Sequence, residues 1–115
     1  MLKRAALLTV LSLFFATSAL AHTSLKTSEP EAGAMLMSSP ETLTLNWGSA
    51  VNPISVKVKD ASGQPVDFSF SPSSEASESF SWSLPSLKPG QYTVSWVAMG
   101  KDAHKIQGDF GFMVH

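Results

Sequence analysis

The residues with the most chemistry in this 115-residue chain are its three histidines, His22, His104 and His115, and the aspartate Asp102. His22 follows Ala19-Leu20-Ala21, and Ala-x-Ala is the small-residue pattern that precedes a signal-peptidase cut. Cleavage after Ala21 leaves His22 as the first residue of the exported chain. Its α-amino nitrogen and its imidazole Nδ1 then close a six-membered chelate ring on one metal ion. An internal histidine cannot do this, because its backbone nitrogen is an amide. Asp102 stands two residues before His104, and in an extended segment residues i and i+2 face the same side. The set is three nitrogens and one oxygen, a combination that Cu(II) favours in tetragonal geometry and that suits the top of the divalent affinity order. Zinc takes the same donors in a tetrahedral site, so the donors alone leave the metal open. The expected metal ligands are His22, Asp102 and His104, with His115 read as a solvated chain end.

Other chemistries find little support. The chain lacks cysteine, which excludes disulfides and thiolate metal sites. Serines are plentiful, but none sits in a Gly-x-Ser-x-Gly setting, and there is no phosphate-cradling glycine loop. Met35 and Met37 carry soft sulfur suited to Cu(I), yet two methionines flanking Leu36 read as core and edge packing, and Met99 and Met113 read the same way. The formal net charge is −1, and loss of Lys3 and Arg4 with the leader makes the remainder more acidic. No basic cluster points to nucleic acid.

The elements that must position these residues read as strands. Residues 1–21 have a charged start at Lys3-Arg4, an apolar run from Ala5 to Phe15 and a small-residue end, which is the layout of a cleaved signal peptide. The apolar run is short for a bilayer span of about 20 residues. Residues 22–115 have the length of one domain able to bury its own core, and the expected product is a soluble monomer. No segment has sustained helical periodicity. Alternation predicts strands over 42–47 with Leu43, Leu45 and Trp47 inward, over 54–59 with Ile54, Val56 and Val58 inward, and over 66–70 and 80–84. It predicts two more, one with Tyr92, Val94 and Trp96 on a single face and one over 108–114 with Phe110, Phe112 and Val114 inward. Trp47, Trp82 and Trp96 thus read as core. Asp60-Ala61-Ser62-Gly63 reads as a turn with Gly63 at positive φ, and residues 71–77 as a polar surface loop. Leu25 suits an edge strand, and Pro30, Gly33 and Pro40 interrupt the stretch after it. Short alternating strands between Gly and Pro turns make an antiparallel β-sandwich or barrel.

In this order the residues resemble the CopC family of periplasmic copper-resistance proteins. His22-Thr23-Ser24-Leu25 is similar to the family's start, a histidine exposed by signal cleavage. Ser28-Glu29-Pro30-Glu31-Ala32-Gly33-Ala34 resembles its Ser-x-Pro-x-x-Gly-x segment. Pro40 followed by Leu43, Leu45 and Trp47 is similar to its first long strand, and Pro89-Gly90-Gln91-Tyr92-Thr93-Val94-Ser95-Trp96 to its Pro-Gly-x-Tyr-x-Val-x-Trp. Asp102-Ala103-His104, then Gly108, Phe110, Phe112 and Val114, resembles its closing Asp-Gly-His and Gly-x-Phe-x-Phe-x-Val. The resemblance implies an all-β, Greek-key antiparallel sandwich or barrel of about seven strands, Ig-like or cupredoxin-like, over residues 22–115. It also implies Cu(II) held by His22, Asp102 and His104.

The implied role is a periplasmic copper buffer, resistance factor or carrier, working beside an inner-membrane copper importer of the CopD type, and not an enzyme. The rival readings are a histidine-brace copper oxygenase and a metal-free β-sandwich adaptor. Three departures stand out. Gly100 replaces the family's serine, and Ala103 replaces its glycine, so a positive φ there carries strain. The family's methionine-rich Cu(I) segment is absent, Met35 and Met37 lying elsewhere.

Overall fold

The computed structural model describes residues 24–115. His22 and the signal-like segment lie outside the described residues. Among the described residues all regular structure is β, in six strands: β1 (Leu25–Glu29), β2 (Met35–Leu36), β3 (Thr42–Asp60), β4 (Ser77–Ser83), β5 (Gly90–Met99) and β6 (Lys105–Val114). No helix here is long and apolar enough to cross a membrane.

The long strand β3 ties two layers together. Its first part pairs antiparallel with β1 on one side and β4 on the other. Its second part pairs antiparallel with β5, which pairs with β6 in turn. The change of layer falls where the β3–β4 register shifts, between Asn46 and Val51. At the far edge β2 pairs with β6 in parallel. The inward rows face each other across the layers: Leu43, Leu45, Trp47, Val51, Val56 and Val58 from β3, Tyr92, Val94, Trp96 and Ala98 from β5, and Phe112 and Val114 from β6 are all buried. Phe110 packs against them while partly exposed. Trp47 lies edge-on to Trp96 (ring centroids 5.6 Å apart, planes at 78°) and to Phe80 (6.0 Å, 72°). Its buried Nε1–H has no acceptor among the described residues, so ring packing and not a hydrogen bond holds the indole.

Asp60 caps the turn expected after β3. Its Oδ1 accepts from the Ser62 and Gln64 backbone N–H groups and from the Ser62 hydroxyl, and Gly63 sits at φ 85°. These donors, led by the Ser62 hydroxyl, pull the Asp60 carboxyl below its ordinary pKa.

Four expectations are corrected. Ile54 does not face inward; it is 38% exposed. A bulge between Pro53 and Ser55 inserts one residue opposite β5, so Pro53 turns in, Ile54 turns out, and the alternation restarts at Val56. Residues 66–70 form no strand, so the described residues hold six strands where about seven were expected. Pro65 and Pro72 have no N–H to donate, and the Phe70 N–H turns back to the Phe68 carbonyl at 2.7 Å. The alternation there is still meaningful, because Val66, Phe68 and Phe70 pack against the core beside Trp82. Trp82 itself is only partly buried, on the edge strand β4. Met35 and Met37 are not packed away; they are 64% and 82% exposed. Strand β2 offers only Leu36 to the core, and its neighbours on either side must point out.

Candidate metal centre

Asp102 and His104 sit on the loop joining β5 to β6. The hairpin's last pair is Met99 with Lys105. Across it the Gly100 N–H donates to the His104 carbonyl (3.0 Å), and the Ala103 N–H donates to the Gly100 carbonyl (3.1 Å). The segment is therefore a tight turn and not the extended stretch expected from the i, i+2 spacing. The two side chains meet all the same. The His104 Nδ1–H donates to Asp102 Oδ2 at 2.9 Å, a contact that becomes an ion pair when the imidazole is protonated. With Nδ1 engaged, Nε2 is the nitrogen that offers its lone pair to a metal, and the carboxylate fixes the ring's tautomer and tilt. Both side chains are largely exposed, at 79% and 71%, so a ligand reaches them without opening the fold.

The hydrogen bond from His104 is the leading reason that the Asp102 pKa lies below its ordinary value of 3.8; the charge of the imidazole adds to it. A depressed carboxylate pKa stabilises the fold above the unfolded value, and that contribution fades as pH falls through the lower folded value. For a group this exposed the stability effect is small, so the titration itself is the readout. A carboxyl carbon NMR titration is expected to place Asp102 below 3.8 and to move it upward in His104→Ala. An unmoved midpoint would show that the imidazole is not the cause.

Ala103 has φ 63°, so the strain anticipated from its replacing a glycine is present. An L residue in this region costs about 1–2 kcal/mol. Ala103→Gly removes that cost and returns about 0.4–1 kcal/mol through the freer unfolded chain. The net expectation is a gain of up to about 1.6 kcal/mol, read as a melting temperature a few degrees higher in the metal-free protein. A lower melting temperature would mean that the turn tolerates alanine without strain.

The other end of the centre is the entry of the chain. Leu25 pairs with Trp47, and the Ser24 carbonyl accepts from the Gly48 N–H at 3.4 Å. Four positions further along β3, Asn52 pairs with Met99, the residue before the turn. Ser24 and Leu25 also share a groove with Trp96 and Gly108 of β5 and β6. The start of β1 and the Asp102–His104 turn thus both flank the middle of β3. Among the described residues no third histidine, cysteine or carboxylate joins the pair. His115 follows β6 at its other end, away from Asp102 and His104.

Residues 25–115 match the family model described as CopC domain. Protein YobA of Escherichia coli (strain K12) is 29% identical over 98 residues, covering 82% of this chain and 79% of YobA; Protein YobA of Shigella flexneri aligns equally well. Among solved structures, PcoC from Escherichia coli, a methionine-rich copper resistance protein, superposes with a TM-score of 0.68 at 27% identity, covering 83% of this chain and all of PcoC. CopC from Methylosinus trichosporium OB3b superposes with a TM-score of 0.70 at 24% identity, over 81% of this chain and 93% of that one, which speaks to the shared fold alone.

Proposed function

The chain belongs to the CopC family, and from that premise we propose that it binds one Cu(II) ion in the periplasm and buffers it or hands it on. The protein acts as a binder and not as an enzyme. The observation that carries the reading is the Asp102–His104 contact at 2.9 Å, on an exposed turn flanking the same part of β3 as the start of β1. An imidazole oriented by a carboxylate is the usual preparation of a metal ligand. Two residues of chain reach about 7 Å from Ser24, and this supports His22, once freed by cleavage after Ala21, as the residue that completes the set. Its amine and imidazole, the His104 imidazole and the Asp102 carboxylate, which leaves His104 Nδ1 for the ion, are then the donors, a set that suits Cu(II). Copper is the cargo, held by the monomer and passed to an inner-membrane importer of the CopD type.

The test is Cu(II) affinity by competition with a chromophoric chelator. His104→Ala is expected to weaken binding more than Asp102→Ala, because imidazole is the better Cu(II) donor, and His115→Ala is expected to leave it unchanged. A damaging His115→Ala with a silent His104→Ala would replace this ligand set with another.

A further inference from the structure

The large aromatic side chains form a continuous file through the sandwich. Trp96 of β5 and Trp47 of β3 meet edge to face, with ring centroids 5.6 Å apart. Trp47 meets Phe80 of β4 at 6.0 Å, and Phe80 stacks on Trp82 at 6.1 Å with planes 11° apart. The two ends of the file differ. Trp47 and Trp96 are 2% and 5% exposed. Trp47 pairs with Leu25 at the start of β1, and Trp96 stands on β5 shortly before Met99, the last residue ahead of the Asp102–His104 turn. Trp82 pairs with Leu43 near the beginning of β3, far along that strand from Asn52, which pairs with Met99. The Trp47 Nε1–H is buried with no acceptor among the described residues. Trp82 is only partly buried, and its Nε1–H is open to solvent.

We propose that this file is a path that carries an oxidising equivalent out of the core, from Trp96 and Trp47 to Trp82 at the surface. Indole gives up one electron far more readily than a phenyl ring, and Trp47 and Trp82 stand one phenyl ring apart. The step moves a single electron. A one-electron oxidant takes it from Trp47 and leaves an indole radical cation; Trp82 then refills Trp47 across Phe80 and becomes the cation in its turn. No acceptor stands ready for the Trp47 proton, so its cation does not relax to the neutral radical and keeps its pull on the Trp82 electron. Burial without a counter-charge disfavours the cation as well, a second push outward. Trp82 loses its Nε1 proton to water, which halts the hole there as a neutral radical, and an external thiol restores the indole by giving up a hydrogen atom and becoming a thiyl radical. The use of the path rests on the copper reading above. Cu(I) and hydrogen peroxide give Cu(II), hydroxide and a hydroxyl radical, and that radical becomes hydroxide when it takes the electron from the file. Each hole drained to Trp82 spares the histidine donors.

The test needs no copper. The chain has no cysteine, so Lys101→Cys, on the β5–β6 turn, takes a single ruthenium photosensitiser. A flash in the presence of an external electron acceptor turns that label into a one-electron oxidant on metal-free protein made from the complete 115-residue sequence. Transient absorption is expected to show an indole radical cation first and the neutral indole radical after it. Trp82→Phe is expected to abolish the neutral radical. Phe80→Leu, which keeps both indoles, is expected to slow its arrival, with a circular dichroism spectrum confirming the fold of each protein. A neutral radical that persists in Trp82→Phe, or that arrives as fast in Phe80→Leu, would overturn the path. A separate arm loads copper and adds ascorbate and hydrogen peroxide. Peptide mass spectrometry is expected to find more oxidation of His104 in Trp82→Phe than in the unaltered protein. Equal oxidation would overturn the protective use, whereas a protein that binds no copper would remove the copper reading and leave the flash result standing.

Discussion

A single residue added between Ala21 and His22 is expected to abolish tight Cu(II) binding while leaving the fold intact. In the proposed centre His22 supplies two of the four donors, and one of them is the chain's own amine. The insertion turns that amine into an amide nitrogen, which carries a proton and no available lone pair at neutral pH, and moves the new amine out of the chelate ring. The loss should exceed the roughly 10–100-fold that follows removal of an outer-sphere partner. The fold should not notice, since β1 starts at Leu25. Mass spectrometry must confirm the terminus in each protein, and a circular dichroism spectrum must match before affinities are compared. Equal Cu(II) affinity with and without the added residue would remove His22 from the site.

Gly108→Ala is expected to be the most damaging small substitution in the sandwich. Gly108 pairs with Trp96 across β5 and β6, and the indole lies over it. A Cβ there would come within 2.9 Å of Trp96 Cζ2 and 3.2 Å of Cε2. The indole has nowhere to retreat, being 5% exposed and set edge-on to Trp47. Overpacking of this kind costs about 1–3 kcal/mol, and each kcal/mol lowers the melting temperature of a domain this size by about 4–8 °C. Gly48→Ala is the control. It sits in β3 with nothing within 4 Å of an added Cβ, so it should be neutral or slightly stabilising. The same melt for both variants would contradict the Trp96 contact as the reason for the glycine.

Local pattern alone determined most of the fold. The period-2 rows at Leu43, Leu45 and Trp47, at Tyr92, Val94 and Trp96, and at Phe112 and Val114 are buried as they read, because a strand's alternation is a property of the backbone and survives any partner. The turn at Gly63 was equally legible, since positive φ is a local steric matter, whereas positive φ at Ala103 was expected only from the glycine that the resembled family has there. Asp102 and His104 were visible as a pair from their spacing, although a turn and not a strand unites them.

What only the tertiary structure decided is where chain segments meet and in what register. The bulge at Pro53 to Ser55 answers to the register with β5 and turns Ile54 outward. Phe68 and Phe70 alternate like a strand but find no partner strand, so they cover the core without joining a sheet. Met35 and Met113 lie at opposite ends of the described chain and read separately as packing. They are neighbours because β2 settles parallel to β6, a non-local pairing. Contacts between segments some 75 residues apart are set by which sheet edge remains open after the other strands have paired, and no window of sequence contains that information.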